Sequence, residues 1–251
     1  MKTKAIVTRI TELLVALIFI LLCWHLLALV LHSSILPTPY QALRTFVQVF
    51  TGRLWSHFYV SAYRVFASLA LALLAAVPLG LLLGRVEKLD RLFAPVVYIV
   101  YPIPKIVLLP IVFLILGLGD QSKIFMIWLI VFFQILVTAR DAAKGVPRQN
   151  IYSMRSLGAG RWQIFRHVIF PASLPKIITS LRISLGTAIA VLFFVESFAT
   201  TEGLGYFIMD AWSRMDYAEM FAGIIGMSLL GLILYAIVDL AEAIFCRWQR
   251  F

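Results

Sequence analysis

The sequence predicts an all-α integral membrane protein of about six transmembrane helices, a single domain over residues 1–251. Three observations carry that reading. Of the 251 residues, 62% are hydrophobic and 14% charged, against about 45–50% and about 25% in soluble domains; the mean hydropathy is +0.97. Apolar runs of roughly 20 residues, enough to cross a hydrocarbon core of about 30 Å, recur along the chain. These runs are continuous rather than alternating every second residue, so they are helices and not barrel strands.

The first span is predicted at Glu12–Leu31, behind Lys2, Lys4 and Arg9. It is long for a signal-peptide core and no small-residue cleavage site follows, so it reads as a retained anchor. Leu36-Pro37-Thr38-Pro39 then leads into a mixed segment, Tyr40–Phe58, expected as an interfacial helix. Residues 1–58 thus form an N-terminal anchor region, and 59–245 the core. The core spans are predicted at Tyr59–Leu83, Leu92–Leu116, Lys123–Ala139, Lys176–Phe198 and Met220–Phe245.

The net charge of +10 is distributed unevenly. The N-terminus, the Arg85–Arg91 loop, the Arg140–Lys176 loop and the C-terminus hold fifteen Lys and Arg; the opposite connections hold four, Arg44, Arg53, Lys123 and Arg214. The positive-inside rule therefore sets both termini and the long polar loop in the cytoplasm. That asymmetry explains the basic balance without a nucleic-acid partner. No phosphate loop, HExxH or GxSxG pattern occurs, so the chain lacks an enzyme's toolkit. His25, His32, His57 and His167 are scattered without metal spacing, and Cys23 and Cys246 read as small buried hydrophobes.

The one long polar stretch is Tyr152–Pro175, YSMRSLGAGRWQIFRHVIFPASLP, in a cytoplasmic segment of about residues 140–175. Helical spacing places Leu157, Ile164, Phe165 and Val168 on one side, leaving Arg155, Arg161 and Arg166 for water or a partner. Gly158 and Gly160 remove side chains where another backbone could approach. Pro171 and Pro175 are expected to break the helix before the fifth span. On physics alone, an amphipathic helix lying on anionic membrane lipid fits as well as a docking element.

At these residues the chain resembles the permease subunits of bacterial ATP-binding-cassette importers. Their cytoplasmic signature is EAA, three residues, Gly, nine residues, I-x-L-P. Gly158, Val168, Phe170 and Pro171 fit it with the spacing kept, but Tyr152-Ser153-Met154 stands where EAA would, so the acid is missing. Asp141-Ala142-Ala143 is a decoy, because six residues on from Asp141 stands Pro147. The RSLGAGRWQIF core, LPTP, RVFASLALALLAAVPLGLLLG, YPIPKIVLLPIVFLILGLGDQSKIF and GLGYFI are similar to the sulfonate, taurine, nitrate and bicarbonate branch, in its order. The resemblance implies a type I importer permease fold, like that of the methionine importer, in the bacterial inner membrane. It further implies a homodimer, two ATPase subunits carrying ATP and Mg, and a periplasmic or lipid-anchored binding protein. The chain itself would be non-catalytic and hold no cofactor. Arg155, Ser156, Leu157, Gly158, Ala159, Gly160, Arg161, Trp162 and Pro171 are the implied contact to the ATPase.

Six ionisable residues fall inside predicted spans: Arg64, Lys105, Arg182, Glu196, Asp239 and Glu242. Such residues face protein or a water-filled cavity. Arg64 and Arg182 lie near span ends and are expected to snorkel; Asp239 and Glu242 are expected to pair with Arg247 or Arg182. Lys105 stands near the middle of the third span, after Pro102-Ile103-Pro104, where two missing backbone donors loosen the helix. Two readings stay open. Lys105 faces the translocation path with Pro102, Pro104 and Glu196, drawing in an anionic or carbonyl-bearing solute, or it pairs with Glu196. Glu196 either caps Lys105 or braces an outer gate against the Gly203–Phe207 loop. Trp212, Arg214 and Asp216 are candidate outer docking points for a binding protein.

The solute class remains a small anion of sulfonate, taurine, nitrate or bicarbonate type, with a pyrimidine or flavin vitamin precursor as the alternative. A self-contained secondary transporter is disfavoured by the lack of a visible inverted repeat, and an intramembrane enzyme by the lack of paired catalytic residues.

Overall fold

A computed structural model describes the backbone of residues 2–250 and the side chains of residues 11, 12 and 14–248. Lys2, Lys4, Arg9 and Arg250 of the charge asymmetry lie outside the described side chains. In chain order the helices are α1 Lys2–Leu31, α2 Pro39–Val49, α3 Trp55–Arg85, α4 Glu87–Val100, α5 Leu109–Leu116, α6 Asp120–Lys144, α7 Arg148–Ser156, α8 Arg161–Ile164, α9 Phe170–Glu196, α10 Leu204–Ser213 and α11 Tyr217–Phe245. Among the described residues five helices are long and apolar enough to cross a membrane. The pair Glu87–Val100 and Lys105–Leu116, bent by 79°, makes a sixth if counted as one span.

The LPTP stretch starts α2. Thr38 is its N-cap and Pro39 its first residue, while the Gln41 side chain returns to the Thr38 backbone, closing a capping box. A π-type turn, Phe50–Leu54, kinked at Gly52, joins α2 to α3.

The core lies where α3, α6 and α9 meet. Val65, Leu69, Ala72 and Ala76 pack against Met126, Ile127, Val131 and Ile135 and against Leu185, Ala188, Leu192 and Val195. α3 and α6 form the most extensive contact of the fold. Small residues one turn apart allow it: a Cβ at Gly80 would stand 2.6 Å from the Leu136 carbonyl oxygen, so glycine is required for the backbones to come this near.

Ion pairs mark the two ends of the bundle. At one, Asp90 takes bonds from Arg140 and from Lys144, at 2.9 Å, tying the first turn of α4 to the end of α6. At the other, Glu219 takes bonds from Arg53 and from Arg214, at 2.7 Å. Two of the basic segments assigned to one side are thus neighbours in space, and two of the three opposite connections, those of Arg53 and Arg214, meet at the far end.

Three expectations need correction. Cys23 is exposed on α1, whose apolar stretch is largely unburied, and only Cys246 is the buried hydrophobe. Pro171 and Pro175 do not break the helix; residues Arg161–Glu196 run as one continuous span. The π-type turn Phe165–Ile169 just ahead explains this, because the Phe170 N–H bonds five residues back to Phe165 and opens room for the first ring. Finally, the outer stretch after the fifth span contains a packed helix, α10, with Leu204, Phe207, Ile208 and Ala211 buried against α11.

Candidate functional site

The polar segment at the inner end is an elbow of two short helices. α7 stops at Ser156 with Leu157 as C-cap, and Gly158 follows at φ +78. The Gly158 N–H bonds to the Arg155 carbonyl at 2.9 Å and the Ala159 N–H to the Met154 carbonyl at 3.0 Å. That pair of bonds is a Schellman motif, which needs a left-handed residue at the glycine position. A Cβ on Gly158 would meet nothing within 4 Å. Within this chain the glycine is therefore required for its backbone conformation. Gly160 then caps α8, its N–H donating 2.7 Å to Gln163 Oε1.

The elbow is bolted to the bundle through its own small core. Ile151, Ile164, Ile169 and Ile177 pack with Leu81, Ala139, Ala143 and Val146, and Met154, Ala159, Phe165 and Val168 fill in around them. Leu157 was expected on this face, yet it is 82% exposed, because the Schellman turn swings the C-cap outward. Trp162 is 68% exposed and stacks on Phe165 at 5.5 Å. With Tyr152, Arg155, Ser156, Arg161 and Arg166 also exposed, the elbow shows water a surface of apolar side chains ringed by cations. Ala159 and Pro171 are half-buried and belong to its attachment.

At the outer end, Glu196 closes α9 with 0% exposure. Arg64 Nη1 donates to it at 2.7 Å and the Gly205 N–H at 3.0 Å, while Ser61 Oγ lies 2.9 and 2.7 Å from its two oxygens. Arg64, 2% exposed, also donates to Asp120 at 2.8 Å and to the Glu202 carbonyl at 3.0 Å. Ser61 accepts from the Leu204 N–H at 2.8 Å, and His57 Nδ1 from the Gly203 N–H at 3.1 Å. A Cβ on Gly203, at φ +112, would run into the Glu196 carboxylate. The loop 198–205 is thereby laced to α3 and α6 through a carboxylate that accepts from Ser61, Arg64 and Gly205.

This overturns two sequence readings. Arg64 does not snorkel; it is locked inside. Glu196 neither pairs with Lys105 nor faces a path, because Ser61, Arg64 and Gly205 enclose it. The signal for the cluster was present: Ser61, Arg64 and Ser68 share one face of the second span at helical spacing.

Lys105 opens a single 3₁₀ turn after the break in the third span. Its Nζ donates back to the carbonyls of Val100 at 3.1 Å, Tyr101 at 3.0 Å and Ile103 at 3.4 Å, and sits 4.7 Å above the Phe133 ring. A cation at a helix C-terminus, satisfying carbonyls the proline-bearing break sets free, is a capping device. Lys123 repeats it after α5, bonding the carbonyls of Leu118 at 2.6 Å and Gly119 at 3.3 Å. Pro102 and Pro104 are exposed beside the break. Farther along, Arg182 bridges Asp239, at 2.5 Å, and Glu242, so of the two partners the sequence offered it is Arg182 and not Arg247 that pairs with them. Trp212 is exposed at the outer end, but Asp216 is committed to capping α11 through the Glu219 N–H at 3.0 Å. Among the described residues no group of His, Cys, Asp and Glu could hold a metal ion.

The sequence profile described as "Binding-protein-dependent transport system inner membrane component" matches residues 76–250. The taurine transport system permease protein TauC of Escherichia coli (strain K12) is 31% identical over 84% of this chain and 79% of its own length. The formylaminopyrimidine transport permease protein ThiX of Halalkalibacterium halodurans is 28% identical over 93% of this chain and 94% of its own length. Among solved structures, an inward-facing form of the MetNI methionine ABC transporter superposes with a TM-score of 0.59 at 22% identity, covering 77% of this chain and 94% of that one.

Proposed function

This chain belongs to the binding-protein-dependent transport system inner membrane components, of the sulfonate and taurine branch, and from that membership we propose how it works. It is a multi-pass permease subunit of an ATP-binding-cassette importer. In the reading advanced here, two copies sit in the bacterial inner membrane with both termini in the cytoplasm. Two ATPase subunits, which bind the ATP and Mg, dock on the elbow, and a binding protein delivers solute from outside.

The observation that carries the coupling assignment is the build of the elbow. Leu157 and Trp162 stand out in water, ringed by Arg155, Arg161 and Arg166, while Ile151 and Ile164 fix the same segment to the inner ends of the spans. Exposed large apolar residues on a rigid, anchored segment mark a docking surface. α9 runs on from the elbow without a break, so a rigid-body shift of the elbow is carried into the membrane, and the inner and outer openings alternate. Co-purification with a nucleotide-binding subunit, and stimulation of its ATP hydrolysis, test this directly. A permease preparation that pumps solute without any ATPase subunit overturns it.

The likeness to TauC favours a small organic anion as cargo, and the likeness to ThiX keeps a pyrimidine precursor as the second reading. A thermal-shift screen of the partner binding protein against sulfonates, nitrate, bicarbonate and pyrimidines decides between them.

A further inference from the structure

Between α6 and α9 lies a cavity of about 440 Å³ whose lining is unusually polar for the middle of a membrane protein. Gln134 and Thr138 of α6 face Lys176, Thr179, Ser180 and Ser184 of α9 across it. Lys176, Ser180 and Ser184 fall one helical turn apart, so they form one stripe on α9. Such residues within a span are costly unless they bind one another or something else.

Here they do not fully bind one another. Five hydroxyls of the long helices bond back to the carbonyl four residues earlier, Ser68 at 2.6 Å, Thr138 at 3.0 Å, Thr179 at 3.0 Å, Ser197 at 2.7 Å and Ser228 at 2.8 Å, and Ser180 reaches across the cleft to the Gln134 carbonyl at 3.4 Å. Ser184, 1% exposed, makes no such bond, and its Oγ has no partner among the described residues. Gln134 Oε1 across the cleft has none either, although its Nε2 donates 3.3 Å to Thr187. The only cation in the lining, Lys176, is exposed and has no ion pair among the described residues, unlike Arg91 and Arg140 of the neighbouring cavity, which are tied to Glu87 and Asp90. Tyr101, at the break of the third span, lines both cavities.

We infer that this cleft holds the solute on the inner half of the permease, and that it takes a small organic anion. Lys176 attracts the charged end, and Gln134, Thr138, Ser180 and Ser184 replace the water of the rest. The amide of Gln134 can turn either its oxygen or its nitrogen to the solute, so the hydrogen-bonding end is not narrowly specified. The assignment rests on the importer reading above, and it moves the anion-attracting role from Lys105 to Lys176.

The test uses the permease assembled with its ATPase subunits in proteoliposomes, with Cys23 and Cys246 replaced by alanine. Ser184→Cys and, on the facing helix, Thr138→Cys are labelled with 2-sulfonatoethyl methanethiosulfonate and with its trimethylammonium analogue. Each rate is divided by that of the same reagent with free 2-mercaptoethanol. The expected result is a preference for the anionic reagent of roughly five- to tenfold, the scale of one partly solvated charge nearby, which Lys176→Gln removes. Ser173→Cys, buried and outside the cleft, stays inert. Inertness of both cleft cysteines, a preference for the cationic reagent, a ratio unmoved by Lys176→Gln, or equal labelling of Ser173→Cys overturns the proposal. None of these rates depends on transport. Failure of ATPase stimulation would therefore sink the importer reading separately.

Discussion

Glu196 and Arg64, brought together from sequence positions 132 apart, form a 2.7 Å ion pair with almost no access to solvent. The pair is held in a wider set of bonds, with Ser61 and Gly205 donating to Glu196, and Arg64 donating to Asp120 and the Glu202 carbonyl. Removing Arg64 leaves Glu196 a buried charge without a counter-ion, which costs roughly 3–5 kcal/mol; removing Glu196 costs less, because Arg64 keeps its ion pair with Asp120.

Arg64→Met is expected to lower the melting temperature of the detergent-solubilised complex by roughly 10 °C, and Glu196→Met by less, since Asp120 still pairs with Arg64. The double replacement should fall by less than the two singles combined, since apolar residues of similar volume tolerate the site better than a lone charge does. Differential scanning fluorimetry on the four proteins settles it; additive losses would show that the two residues act independently.

Gly158→Ala is expected to weaken coupling while Gly160→Ala is not. Alanine at φ +78 costs about 1–2 kcal/mol, and the elbow relieves it by losing the Schellman turn. Gly160, at φ −73, accepts a Cβ. ATP hydrolysis stimulated in the reconstituted importer should drop severalfold for the first and stay near wild type for the second.

Lys105→Met is expected to loosen the bend and not to abolish solute recognition. Three carbonyls lose their donor, so thermal stability falls by roughly 1–3 kcal/mol equivalent. Lys105→Arg, which keeps the charge and the donors, should recover most of it. Uptake assays in which Lys105→Met raises the KM for solute at unchanged stability would return the residue to the translocation path.

Trp162→Cys, in a background without Cys23 and Cys246, should react with an impermeant maleimide only from the cytoplasmic side of membrane vesicles, and Trp212→Cys only from the opposite side. Labelling of Trp162→Cys from outside would invert the whole topology.

How much of this was legible in the sequence differs from element to element. Long apolar runs gave the spans, because hydrocarbon demands self-satisfied backbone and leaves few alternatives. α10 escaped, because its ten residues are too short for a span and its burial comes from α11, a partner far along the chain. The Pro171 and Pro175 expectation failed on a local rule: proline breaks a regular ladder, but the π-type turn before it shifts that ladder by one residue. Lys105 was rightly singled out as unusual. Its partners, though, are carbonyls two to five residues back, which composition-based pairing of opposite charges does not consider. Gln134 and Ser184 gave no warning, since isolated polar residues in separate spans become a cleft only when the two helices face each other.

One continuous helix of 36 residues, Arg161 to Glu196, reaches from the polar elbow to the laced loop 198–205. At 1.5 Å per residue it is a strut of roughly 54 Å, clamped at its foot by isoleucines and at its head by a carboxylate. Tilting such a strut by about 5° about its midpoint carries each tip some 2 Å in opposite directions. Its one irregularity, the π-type turn Phe165–Ile169, lies at the foot, so above it a tilt of the foot must strain the head in the same stroke.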